Sequence, residues 1–306
     1  MGRQIAWQVP VVALAVVLAG CSSNSEGGGE PDTSSTTTTS EAAAAVSPEA
    51  EKAAADYKAY AVAQAGELVG AVKTLTDAVR AGNLQAAQDA YAPSRLPWER
   101  IEPLAGLVEE IDGKVDARVD DFAGVDDPAF TGWHRLEYLL FSQNTTEGGA
   151  PFADQLDADI ATLRTQLPTV DVTPVDVSTG AAELIEEVSE GKITGEEDRY
   201  AKTDLWDFQA NLEGSQAAVN RLSPALVEAD PALLGEIEAG FSEIFATLGP
   251  LRRGDGFVLF CTENDPYPSP RCPEVTVDPA TIDKMKAQLA GLSENLSQVS
   301  GVLKLT

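Results

Sequence analysis

Four times along this chain a side-chain oxygen is followed at once by proline: Ser47-Pro48, Thr173-Pro174, Asp230-Pro231 and Asp278-Pro279. An oxygen at the N-cap accepts a hydrogen bond from an otherwise orphaned N–H of the first turn. Proline just after it loses nothing, because the N–H it lacks has no helical partner there. Each dipeptide therefore predicts a helix start. Apolar residues follow at the matching period. Tyr57, Ala61, Ala65, Leu68, Val72, Leu75 and Val79 step by three or four, and Gly82-Asn83 predicts the stop. The same stepping runs through Leu233, Ile237, Phe241, Ile244, Phe245 and Leu248, and through Ile282, Met285, Leu289, Leu292, Leu296 and Val299. No segment alternates convincingly with the period of a strand, so an all-α fold is expected. Roughly 260 residues of this texture exceed one four-helix bundle, which predicts two packed four-helix bundles with a break near residues 168–174.

The N-terminus says where the chain works. An apolar run beginning near Ile5 closes in Leu18-Ala19-Gly20-Cys21, shorter than the about 20 apolar residues a spanning helix needs. Small residues ahead of a cysteine resemble a bacterial lipoprotein signal. Residues 1–20 are then a signal peptide, Cys21 is the lipidated residue, and the chain is extracytoplasmic and anchored to the bacterial membrane. An ordinary secretory signal with a coincidental cysteine would still export it. Residues 21–46, with Gly27-Gly28-Gly29 and a Ser/Thr run from Ser34 to Ser40, have almost nothing apolar to bury. They read as a low-complexity tether with a reach on the order of 25–30 Å, ahead of a helical domain at 47–306.

Charge and cysteines narrow the partners. Forty-nine acidic residues against twenty-one basic ones give a formal charge of −28, a field that repels nucleic acid and attracts cations. Solubility outside the cell explains the bulk of it equally well. Besides Cys21 the chain holds only Cys261 and Cys272, an even pair in an oxidising compartment, and a disulfide is expected between them. No histidine lies nearby to make them a metal pair.

Chemistry gathers in three stretches. In Thr131-Gly132-Trp133-His134-Arg135-Leu136-Glu137, Thr131 is placed to cap a helix. His134 and Glu137 stand three apart and share a helix face, an offer of imidazole and carboxylate to a metal. A lone histidine on a helix is also a common packing residue, but this is the sole histidine of the chain. Upstream, Glu99 and Glu102 repeat the three-residue spacing, and Asp116, Asp120 and Asp121 follow.

These stretches, with Tyr91-Ala92-Pro93-Ser94-Arg95, the run from Lys192 to Tyr200 and its continuation Thr203-Asp204-Leu205-Trp206-Asp207-Phe208-Gln209-Ala210-Asn211, resemble the imelysin family, and the EfeO/EfeM branch in particular. The likeness extends through Gly254-Asp255-Gly256-Phe257-Val258 and covers nearly everything from about residue 50 onward. It implies a pair of helical bundles and an extracytoplasmic iron-uptake component. Such proteins work with a membrane iron permease and a haem-peroxidase-like protein, of the EfeU and EfeB types. The family's site falls on His134 and Glu137, joined by Glu102 and Asp116, with Glu99 a fifth ligand or a group behind them. Arg135 either orients carboxylates or makes a surface ion pair. Glu197, Asp198, Asp204 and Asp207 either form a second acidic cluster facing the first bundle or serve capping and ion pairs with Lys192, Arg199 and Lys202. Longer EfeO proteins carry an N-terminal cupredoxin-like domain where this chain has its tether, so the short EfeM form is expected. The Cys261–Cys272 loop resembles an insertion of unknown use.

One imidazole with three or four carboxylates is a hard, anionic site that favours ferric iron, although zinc, manganese and calcium use similar groups. Two other classes stay open. Some imelysin relatives are described as peptidases, but a zinc peptidase of that kind holds its metal with two histidines and a glutamate, and this chain has one histidine. A polysaccharide-binding module would have to overcome repulsion between −28 and a polyanionic sugar through a bridging metal.

Overall fold

A computed structural model describes residues 46–305. The signal peptide, Cys21 and almost all of the tether lie outside the described residues.

All four Pro-marked starts are helix N-termini. Ser47 accepts from the Ala50 N–H ahead of α1 (Pro48–Arg80), and Thr173 accepts from Asp176 ahead of α6 (Pro174–Glu190). Asp230 accepts from Ala232 and Leu233 ahead of α8 (Pro231–Leu248), and Asp278 from Thr281 ahead of α9 (Pro279–Ser297). The seven-residue apolar stripe of α1 is buried throughout. Gly82, at φ +69°, ends that helix, and Asn83 turns out to open the next one by accepting from the Ala86 N–H. The remaining α-helices among the described residues are α2 (Leu84–Glu99), α3 (Glu109–Val115), α4 (Gly132–Glu137), α5 (Ala150–Gln166), α7 (Asp204–Ala229) and α10 (Val299–Val302). Strand is confined to a two-residue hairpin, Arg252–Arg253 with Gly256–Phe257, which the Gly254-Asp255-Gly256 turn produces.

The second half closes as a four-helix bundle: α6 packs on α7 and α9, and α8 packs on the same two. The first half is less regular. Long helices α1, α2 and α5 pack together, and the short α3 and α4 pack against α5 where a fourth long helix would lie. Pro103, Gly106 and Pro128 interrupt that stretch and prevent one. Helix α1 also packs on α6 and α7, and α2 on α7, so polar groups of α2 and α7 meet directly, Arg95 lying 3.3 Å from Asp207. No helix among the described residues is long and apolar enough to cross a membrane.

One close approach sets the frame. A Cβ on Gly180 of α6 would lie 1.9 Å from the Pro103 carbonyl oxygen, so any other residue there would push α6 away from the 3₁₀ segment Glu102–Leu107. Burial of neighbouring apolar residues such as Leu104, Val177, Ala181 and Leu184, at about 25 cal/mol per Å², then holds a backbone-to-backbone contact in place.

Candidate metal centre

Helix α2 carries the first part of the site through three buried polar residues, Ser94, Arg95 and Glu99. Its neighbours fix them. Trp133 donates its indole N–H to Ser94 Oγ at 3.1 Å, and Trp98 donates to Asp116 Oδ2 at 2.8 Å.

The H-x-x-E pair rides on α4, which begins at Gly132 with φ +74°, where a Cβ would meet the Val115 carbonyl oxygen at 2.3 Å. Only glycine fits this left-handed start against α3. Thr131 does not cap the helix as the sequence led one to expect. Its hydroxyl is buried and unpartnered, because the glycine, not a side-chain cap, turns the chain. After Glu137 the helix widens into a π turn, Tyr138–Ser142.

His134 Nδ1 lies 3.1 Å from Glu137 Oε2, and the other Glu137 oxygen accepts the backbone N–H groups of Tyr200 and Ala201 at 2.6 and 2.8 Å. The opposite nitrogen, Nε2, lies 3.5 Å from Asp116 Oδ1 and 3.8 Å from Glu197 Oε1. Two ligand triads result, Asp116–His134–Glu197 and His134–Glu137–Asp198, with the donor atoms of each within 4.8 Å of one another. Imidazole is thus gripped from behind by Glu137 and presented forward to Asp116 and Glu197. A second hydrogen bond of this kind orients and strengthens a metal-binding imidazole.

Cations already neutralise the carboxylates. The Arg95 side chain is fully buried and donates at 2.5 Å to Glu99, Asp116 and Glu197, with Asp207 at 3.3 Å. Lys192, 2% exposed, reaches Glu102 at 2.7 Å and Glu99 at 3.3 Å, and Asn211 donates to both glutamates. Burial pushes the Asp116 carboxyl up, but Arg95 and His134 outweigh it and hold it well below the usual range. Glu197 is brought down to about 2 against burial by Lys192, Arg95 and Arg118. Burial and Arg95 both oppose charge on His134, yet its hydrogen bonds to Asp116 and Glu137 raise it to about 9. Burial, and then the nearby Asp198, push Asp204 and Asp207 well up.

A cleft of about 760 Å³ between the 102–121 region and α6 borders this centre at Glu102, Asp116 and Lys192. Glu109, Asp112, Asp121, Glu183 and Glu187 line its walls, and Glu102, Asp116 and Lys192 are among its most buried lining residues.

All five expected ligands therefore converge on one region, but unequally. His134, Glu137 and Asp116 meet directly, whereas Glu99 and Glu102 turn their oxygens to Lys192 and Asn211. Glu197 joins the two groups, its Oε1 toward His134 and its Oε2 toward Lys192. Sequence reasoning left Glu197 between clustering and ion pairing, and it does both. In the sequence Arg95 has a place in a motif and no role. Its signal was the four-residue spacing to Glu99, which on a helix is an ion-pair spacing. Arg135 follows neither expectation: it touches no carboxylate among the described residues and lies over the rings of Phe130, Tyr138 and Phe152.

Cys261 and Cys272 are disulfide-bonded. Their loop packs on the segment that carries Glu197. Lys202 Nζ reaches Asp265 at 2.6 Å, Arg271 donates to the Ala201 carbonyl at 2.5 Å, and Arg199 stacks over Tyr267.

Residues 53–299 match the family model described as imelysin. Proteins named iron uptake system component EfeO from Escherichia coli O157:H7, Escherichia coli strain K12 and Shigella flexneri are each 44% identical to this chain over 250 residues. The match covers 81% of this chain and 63% of those relatives, so the chain spans less than two thirds of their length.

Proposed function

The chain belongs to the imelysin family and is of the EfeO type, and on that footing we propose that it is an extracytoplasmic iron-binding lipoprotein that captures iron and delivers it to a membrane iron permease. The relatives are named as iron uptake components. What supports the reading most is His134, held by Glu137 behind and facing Asp116 and Glu197, with Asp116 lining an acidic cleft. His134, Glu102, Asp116 and Glu99 form the ligand set, with Glu197 added, and Glu137, expected among the ligands, fixes the imidazole from behind. Such a set is hard and strongly anionic, and ferric iron is the cargo it favours. Cys21 carries the lipid anchor, and the partners are the permease and a haem-peroxidase-like protein.

In this role the residues bind and release rather than transform. The Nδ1–H of His134 stays on Glu137, and Nε2 gives up its proton to take the cargo. A peptidase would need a Lewis-acidic zinc with water on it, and a carboxylate in place of the second histidine weakens that acidity.

Titration calorimetry with ferric iron presented as its nitrilotriacetate complex tests the reading. His134→Ala should weaken binding at least tenfold with helical content unchanged by circular dichroism. Wild-type affinity in that variant would make His134 a packing residue and remove the basis of the proposal. Fatty-acid labelling of the wild type and of Cys21→Ala tests the anchor.

A further inference from the structure

Lys192 follows α6 in the 3₁₀ turn Lys192–Thr194 and sends its side chain into the candidate centre. Its Nζ lies 2.7 and 2.9 Å from the two Glu102 oxygens, 3.3 Å from Glu99 Oε2 and 3.7 Å from Glu197 Oε2. These three carboxylates come from α2, from the 3₁₀ segment after it, and from the turn ahead of α7. An ammonium has three donors, and its hydrogen bonds here go to Glu102 and Glu99, with Glu197 within ion-pair distance.

The two buried cations of the site differ in what they could do. Arg95 is fully enclosed and ties its guanidinium to carboxylates on every side, so it is a fixed part of the wall. Lys192 is a point charge on a flexible four-carbon stem, and it lines the cleft through which a cation would arrive. Glu102 gives both of its oxygens to this ammonium, and Asn211 accounts for the rest of its hydrogen bonding. All four oxygens of Glu99 and Glu102 are therefore already engaged while Lys192 stays where it is, Glu99 Oε1 by Arg95 and the other three by the ammonium, two of them also by Asn211.

We propose that Lys192 is a tethered resident cation and a specificity-determining residue: an ion entering through the cleft displaces its ammonium from Glu99, Glu102 and Glu197, and only an ion of higher charge does so with profit. This inference rests on the reading of the centre as a cation site. The physical reason is exchange. Attraction to the carboxylates grows in proportion to charge, so replacing one positive charge with another of the same size gains little, whereas a divalent and still more a trivalent ion gains steeply. The displaced ammonium swings into the cleft toward Glu183 and Glu187, where water and acidic walls receive it. The lysine thus refuses sodium and potassium, taxes divalent ions and favours trivalent ones.

Terbium luminescence and manganese electron resonance on the purified chain test this, with terbium and manganese as the trivalent and divalent probes. Lys192→Met, which keeps length and removes charge, should bind manganese at least tenfold more tightly than wild type and should narrow the preference for terbium. Unchanged or weaker manganese binding in a folded variant would overturn the proposal. Because the variant leaves buried carboxylates uncompensated and could fail to fold, a second measurement uses the wild type alone. Acylation of lysines followed by mass spectrometry should label Lys192 several-fold faster in the terbium-saturated protein than in the metal-free one, and protection that persists at saturation would also overturn it. The two readings fail separately. If His134→Ala and Glu102→Gln leave terbium binding intact, the site itself is misassigned. If they abolish it while Lys192 remains protected, the site stands and displacement is wrong.

Discussion

The backbone N–H of Tyr200 donates to Glu137 Oε1 at 2.6 Å, joining residues 63 positions apart and fixing the carboxylate of the H-x-x-E pair from the far side. Ala201 adds a second N–H to the same oxygen. Glu137→Ala strips both donors of their acceptor, and leaving a buried polar group unpaired costs about 1–3 kcal/mol. The variant should therefore lose about 2–4 kcal/mol in urea unfolding and at least tenfold in iron affinity. Glu137→Gln keeps an acceptor oxygen, and its stability should fall much less than its affinity.

Arg95 pairs with four carboxylates, three of them buried and the fourth, Asp116, at the edge of the cleft. Removing one partner of a buried ion network costs about 3–5 kcal/mol, because the other charges remain buried and unpaired. Arg95→Met should be destabilised by that amount. Added divalent cation should restore part of its melting temperature, since an ion can supply the missing charge. A variant as stable as wild type in metal-free buffer would contradict the network.

Much of the scaffold was legible before any coordinates. Capping oxygen followed by proline is a local signal, and all four instances held. The buried stripe of α1 is likewise periodic and local. The site was legible only by halves. His134, Glu137 and Asp116 stand out as carboxylates and an imidazole, but the partners of Glu99 and Glu102 do not. Lys192 lies 93 and 90 residues from them in sequence, and a lysine beside acidic residues reads as a solvated surface. Arg135 escaped for a similar reason, since cation–π contacts with three rings leave no spacing rule behind.

In the metal-free protein His134 and Glu197 contribute opposite limbs to the pH dependence of stability, on top of the raised carboxyls of Asp204 and Asp207, whose contribution is lost as pH rises above their ordinary value. His134 is raised to about 9 from an ordinary value of about 6.5, so its contribution is complete below about 6.5 and is lost as pH rises through about 9. Glu197 is lowered to about 2 from about 4.3, so its contribution is complete above that ordinary value and is lost as pH falls toward 2. Urea unfolding between pH 3 and 10 measures both, and His134→Gln should flatten the alkaline limb while leaving the acid limb in place.

The disulfide closes a short loop, with the two cysteines 11 residues apart. Such a link contributes about 2–3 kcal/mol when unstrained. The Cys261→Ser, Cys272→Ser double variant should lose that much. Because Arg271 and Lys202 connect the loop to the Tyr200–Ala201 backbone, amide exchange at those two residues should also accelerate. Unreduced peptide mapping by mass spectrometry establishes the bond in the purified wild type, and two free thiols there would contradict it.

The contact between Gly180 and the Pro103 carbonyl joins main chain to main chain, with no side chain between the two walls of the cleft. The aperture is therefore set by the backbone, while its electrical character is set by Glu183, Glu187 and Glu109, which are exposed on its walls. Width and charge are separable variables. A lineage could exchange the acidic rim for a neutral or basic one, and so admit different cargo, through surface substitutions that leave the frame of the molecule untouched.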